Sequence, residues 1–216
     1  RYYNKYLQGK ITREELYSLV PQELLESVIN EKMSDETIRN VFEKVDNLIG
    51  EKSVDVIIGG PPCQAYSLVG RAVKEDNMDG DERNYLYKQY CKFLKRYQPK
   101  MFVFENVPGL LTAKNGKHFA NLKKYLAHVG YKLDYRELNA KNFGVLQNRR
   151  RIIIIGWKAE YDGEYFYPQF EDVPHNFVVN DLLEDLPSIQ AGEEGKEYAA
   201  KPSRYLTEFG IRNKSD

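Results

Sequence analysis

Val54-Asp55-Val56-Ile57-Ile58-Gly59-Gly60-Pro61-Pro62-Cys63-Gln64 decides how this chain is read. The apolar, β-branched run at 54–58 reads as a buried strand. Two glycines and two prolines end it sharply. Cys63 therefore follows the carboxyl end of a strand, on a turn stiffened by proline. Open α/β sheets bind ligands in the crevice outside those strand ends, which makes Cys63 a candidate nucleophile. The plainer reading is packing, since free cysteine is among the most buried residue types. The other cysteine, Cys91, falls inside a helical pattern and is read as packing.

The arrangement recurs downstream. Leu86, Tyr90, Phe93, Leu94 and Tyr97 share one face of a helix over 84–97, and Pro99 stops it. Met101-Phe102-Val103-Phe104 is the next buried strand and runs directly into Glu105-Asn106-Val107-Pro108-Gly109. Strands separated by one helix are most simply parallel. Cys63 and Glu105 then share a rim of the sheet, and are close if their strands are neighbours. An amphipathic helix over 117–129 ends at Gly130, residues 131–138 alternate as a strand, and 139–148 form a turn-rich connector. Gln147-Asn148-Arg149-Arg150-Arg151 then abuts Ile152-Ile153-Ile154-Ile155-Gly156-Trp157. A central strand should not start with stacked charge unless that charge has a partner. The plain reading is a solvated strand end, and the functional one is a phosphate or carboxylate site.

The flanks are quieter. Thr12-Arg13-Glu14-Glu15 reads as a capping box, opening a helical pattern that Pro21 interrupts. A further helix starts with Ser34 or Asp35 as cap, carries Ile38, Val41, Phe42, Val45, Leu48 and Ile49 as its apolar stripe, and ends at Gly50. Residues 68–83 read as a long loop, and composition alone makes it a solvated one. Residues 160–174 are acidic and aromatic with little periodicity, and mark a boundary. A short helix over 178–186 is ended by Pro187, residues 192–203 are a polar linker, and the tail is partly helical.

Composition narrows the classes. The 216 residues carry 32 basic and 32 acidic side chains, so any nucleic-acid surface must be a local patch. Two cysteines make neither a disulfide scaffold nor a zinc site, and a reducing cytoplasm is the natural setting. No run approaches membrane-span length. The 17 tyrosines scatter over helices and loops as amphipathic packing.

Taken together and in order, the cysteine turn, the glutamate strand end and the arginine cluster resemble the DNA (cytosine-5) methyltransferase family. Pro62-Cys63-Gln64 with Ser67, Glu105-Asn106-Val107, and Gln147-x-Arg149-x-Arg151 carry the resemblance over residues 53–186. Arg83-x-x-Leu86, Leu138-Asn139-Ala140 and Phe143-Gly144 fit the elements between them. The resemblance implies that Cys63 adds as thiolate to carbon 6 of a flipped-out cytosine, making carbon 5 reactive. It implies that Glu105 meets ring nitrogen 3, that Arg151 meets the ring carbonyl with Arg149 in support, and that Asn106 holds the Pro-Pro-Cys turn. Gln64, Ser67 and Gln147 are implied as DNA or site support. Pro62 and Leu86 are the expected contacts to S-adenosylmethionine, the methyl donor. The loop 68–82 becomes a lid over the DNA, and no metal is expected.

The family also carries a glycine-rich donor loop and a target-recognition domain, and neither is found in these 216 residues. The expected fold is therefore α/β: a Rossmann-like, S-adenosylmethionine-dependent methyltransferase sheet that is incomplete. It lacks the N-terminal donor-binding strands and most of the recognition domain. The expected division is a helical insertion over 1–52, the central catalytic part over 53–174, and a linker with the start of the recognition region over 175–216. The expected function is modification of duplex DNA in the cytoplasm of a bacterium, at the nucleoid, within a restriction-modification system that supplies a cognate endonuclease as partner. This chain alone is expected to be inactive. A tRNA cytosine-5 methyltransferase of the same fold and a non-catalytic nucleic-acid-binding module are the alternatives.

Overall fold

The computed structural model describes residues 2–62, 86–174, 176–195 and 203–208. Cys63, Gln64, Ser67 and the loop 68–82 lie outside the described residues. Strands β1 (Val56–Gly59), β2 (Met101–Asn106), β3 (Tyr131–Asn139) and β4 (Arg150–Lys158) form one mixed sheet, in the order β1-β2-β4-β3. The result is an α/β unit, a part of a Rossmann-like sheet.

β1 and β2 are adjacent and parallel, as a single-helix crossover requires. β4 is antiparallel to both β2 and β3. The carboxyl ends of β1, β2 and β3 and the amino end of β4 therefore lie on one rim. β1 starts two residues later than its apolar run and extends through Gly59, which pairs with Phe104. Gly59 continues the ladder instead of breaking it, and the chain leaves the sheet at Gly60. Arg150 and Arg151 lie inside β4, opposite Asn139 and Leu138, so the arginine cluster opens the strand instead of merely preceding it.

Alternation sorts the side chains onto two faces. On the first face, Phe102 and Phe104 of β2, Ile152 and Ile154 of β4 and Tyr131 of β3 are buried. Two helices cover them: α5 (Leu86–Tyr97), with Tyr87, Tyr90, Cys91 and Leu94, and α7 (Lys117–His128), with Phe119, Leu122 and Leu126. Burying one such side chain stabilises the fold by about 1.5–3 kcal/mol. The second face carries Ile155, Trp157 and the incoming Tyr167, with Met101, Val103 and Ile153 half-buried around them. β1 is the edge of the described sheet, and its Ile58 is 77% exposed.

Ahead of the sheet come α1 (Tyr2–Leu7), α2 (Arg13–Ser18), α3 (Gln22–Glu26) and α4 (Ile38–Ile49). Both halves of the Thr12–Glu15 capping box form, and Pro21 separates α2 from α3. Thr37, not Ser34 or Asp35, is the first cap of α4. Ser34 and Thr37 instead accept hydrogen bonds from each other's backbone N–H, closing the turn before the helix. Asp35 turns away to Lys92 and Gln89 of α5. Gly50 ends α4 in a left-handed conformation (φ 57°). α6 (Gly109–Thr112) links β2 to α7, while α8 (Val179–Leu183) and α9 (Arg204–Glu208) follow the sheet. α9 is anchored by the Tyr205 hydroxyl, which donates to the Gly144 carbonyl at 2.6 Å.

Candidate active site

The rim shared by β1, β2 and β4 gathers the candidate residues. Alternation along β2 turns Asn106 onto the covered face and leaves Glu105 on the other. Asn106 is buried, and it joins two segments. Its amide donates to the Pro61 carbonyl at 3.3 Å, and its side-chain oxygen accepts from the Val107 N–H at 2.8 Å. The residue that ends β2 thus grips the turn that leaves β1.

Glu105 meets Arg151, with Nε 2.8 Å from Oε1. Their side chains are 41% and 25% exposed, so both remain open to a ligand. A pair this accessible is worth about 0–1 kcal/mol, so a substrate that offers each partner a replacement separates them at little cost. Arg151 also donates to the Arg150 carbonyl at 2.8 Å, which directs its guanidinium. Arg150 points elsewhere and pairs with Glu137 of β3. The stacked charge at the start of β4 thus has partners, and only one of its arginines meets Glu105 among the described residues.

Gln147 and Arg149 stand exposed on the connector between β3 and β4. Backbone bonds from Gln147 N–H to Val145 and from Arg149 N–H to Gln147 coil that stretch tightly. Pro62 is exposed on the turn, and half-buried Leu86 opens α5 on the same rim. Both are apolar and accessible. Among the described residues, no group of three or more His, Cys, Asp or Glu side chains stands together as a metal site. No described helix is long and apolar enough to cross a membrane.

Sequence reasoning missed three neighbours of this site. The space where Gly60 would carry a Cβ lies 2.9 Å from Oε2 of Glu105. The Tyr90 hydroxyl donates to the carbonyls of Ile57 in β1 and Val103 in β2, each at 3.0 Å. Tyr167 donates to the carbonyl of Ile153, which pairs with Glu105 in the ladder, and carries Arg136 over its ring at 4.9 Å. The Gly-Gly pair was a usable signal of close approach. Tyr167 lay hidden in a stretch without periodicity.

The profile of the C-5 cytosine-specific DNA methylase family matches residues 22–211. The chain belongs to that family. It is 41% identical over 150 residues to the type II methyltransferase M.Bpa9945I of Bacillus paralicheniformis, covering 64% of this chain and 33% of that enzyme. It is 40% identical over 151 residues to the type II methyltransferase M1.HphI of Haemophilus parahaemolyticus, covering 68% and 39%. The chain thus spans about a third of the length of these curated relatives. Among solved structures, it is 28% identical to a DNA modification methyltransferase encoded within an E. coli prophage, with a TM-score of 0.48 over 73% of this chain and 40% of that one.

Proposed function

We propose that this chain carries the chemical centre of a type II DNA cytosine-5 methyltransferase. The observation that carries the reading is the accessible Glu105–Arg151 pair, set beside the turn that Asn106 holds at Pro61. The cysteine of that turn, Cys63, adds as thiolate to carbon 6 of a cytosine rotated out of the duplex. Glu105 meets ring nitrogen 3 and offsets the charge that develops as the thiolate adds. Arg151 holds the ring carbonyl with directed, permanently charged donors, and Arg149 supports it. The pair opens to receive the ring, and each partner exchanges the other for a ring atom. Asn106 keeps the cysteine turn in place against β2, while Gln64, Ser67 and Gln147 support the site or the DNA. S-adenosylmethionine, met by Pro62 and Leu86, supplies the methyl group. Loss of the carbon 5 proton then expels the thiolate and restores the ring. Duplex DNA is the substrate, within a bacterial restriction-modification system whose endonuclease acts at the same sequence.

The test uses protein expressed from its complete reading frame. It is incubated with S-adenosylmethionine and a duplex carrying 5-fluorocytosine, whose fluorine blocks the final elimination. A denaturant-stable protein–DNA adduct is expected, and Cys63→Ala should abolish it. No adduct with the unaltered protein would leave a binding module. Methyl transfer to tRNA in preference to duplex DNA would move the reading to the tRNA branch of the fold.

A further inference from the structure

Gly59 and Gly60 end β1, and each leaves space that a different side chain fills. A Cβ on Gly59 would stand 2.6 Å from Cε2 and 3.0 Å from Cδ2 of Tyr90. A Cβ on Gly60 would stand 2.9 Å from Oε2, 3.7 Å from Cβ and 3.6 Å from the backbone oxygen of Glu105. Neither glycine has a left-handed φ, so the backbone does not demand glycine here and the space does. Tyr90 enters from α5 on the covered face. Its ring packs edge-on against Phe102 at 6.0 Å and Phe104 at 5.1 Å. Its hydroxyl bridges β1 and β2 by donating to one carbonyl of each. Glu105 lies on the opposite face. Two successive glycines therefore seat one residue below the sheet and one above it.

We propose that the Gly59-Gly60 pair is a spacing gauge for the site, with Gly60 the positioning residue for the Glu105 carboxylate and Tyr90 the clamp that holds β1 against β2. The proposal rests on the reading of Glu105 as the group that meets the cytosine ring. A methyl group at residue 60 would stand 2.9 Å from Oε2, closer than a carbon and an oxygen normally approach, and pushes the carboxylate off its line to the ring nitrogen. The crowding atom is the tip of a side chain, so the fold has room to adjust while the chemistry does not.

The test compares unaltered protein, Gly60→Ala, Glu105→Gln and the double variant, all from the complete reading frame, by kcat, KM for DNA and 5-fluorocytosine trapping. Gly60→Ala alone should lower kcat about tenfold or more and leave KM within about twofold, the signature of a displaced catalytic group. In the Glu105→Gln background the same change should add less than about twofold, because the group it displaces is already disabled. Unaltered kcat in Gly60→Ala, or an equal further loss in the Glu105→Gln background, overturns the gauge. Failure of the unaltered protein to form an adduct overturns the functional reading instead. Should Gly60→Ala misfold by circular dichroism, Gly60→Ala with Glu105→Asp shortens the acid and makes room. Restored folding with partial activity supports the gauge, and a double variant without either overturns it.

Discussion

Of the two cysteines, Cys91 lies among the described residues, and its surroundings decide what it can do. Cys91 is buried in α5, in the same core as Phe102 and Phe104, and burial pushes its thiol up to about 12. A thiolate is the reactive form, so Cys91 is inert in the native protein. Iodoacetamide at pH 8 should leave it unmodified until urea unfolds the chain, read by peptide mass spectrometry. The same shift has a stability consequence. The native thiol ionises above the ordinary value of 9.0, so its contribution is complete below about pH 9 and is lost as the pH climbs towards 12. Replacing Cys91 by alanine should flatten that alkaline limb. Burial, which sequence pattern alone gave for Cys91, also decides its chemistry.

At the scale of elements, the sheet depends on close approaches that only glycine permits. A Cβ on Gly156 of β4 would stand 2.1–2.3 Å from the Phe102 ring and 2.9 Å from the Lys132 carbonyl. Backbone cannot yield as a side-chain tip can, so Gly156→Ala should cost about 1–3 kcal/mol or more, read as a lowered urea midpoint. α4 is held to α5 by a mixed seam. Phe42 packs against Phe93 and Tyr97, while Asp46 pairs with Arg96 and accepts from the Tyr97 hydroxyl at 3.0 Å. The Arg96 hydrogen bond holds the Asp46 carboxyl below its ordinary 3.8. A depressed carboxyl stabilises above its unfolded value, and that contribution is lost as the pH falls through the folded one. Asp46→Asn should therefore lower Tm at pH 7, and the gap from the unaltered protein should close below about pH 4. The apolar stripe of α4 was legible in its spacing. The Asp46–Arg96 salt bridge to α5 was not, because ion-pair partners across helices leave no period in the sequence.

For the whole molecule, the open edge of the described sheet carries the strongest expectation. β1 exposes Val56 and Ile58, although strands of parallel sheets are normally covered on both faces. The 216 residues contain no Gly-x-Gly donor loop. They also span about a third of the length of the relatives they match. We expect the 216 residues alone to transfer no methyl group from labelled S-adenosylmethionine to DNA. Protein made from the complete reading frame should be active in the same assay. Activity of the 216 residues alone would show that Pro62, Leu86 and their neighbours suffice to hold the donor.

Residue pattern alone carries the strands to within two residues, the helix breaks at Pro21, Pro99 and Gly130, the parallel orientation of β1 and β2, and the order of the site residues along the chain. Periodicity, proline and glycine act locally, so these features survive being read one stretch at a time. The folded packing alone reveals that β4 inserts between β2 and β3. A β4 running the other way would have placed Arg151 opposite Met101, four residues along β2 from Glu105 and roughly 13 Å away at about 3.3 Å per residue. The short connector over 140–149, with a single 3-10 turn at Ala140–Asn142 and no α-helix, excludes a parallel crossover from β3, yet it does not say which other neighbour β4 takes. That choice belongs to side-chain packing across the sheet, where Ile152 and Ile154 meet Phe102 and Phe104 in one core. It is the choice that puts a guanidinium beside a carboxylate.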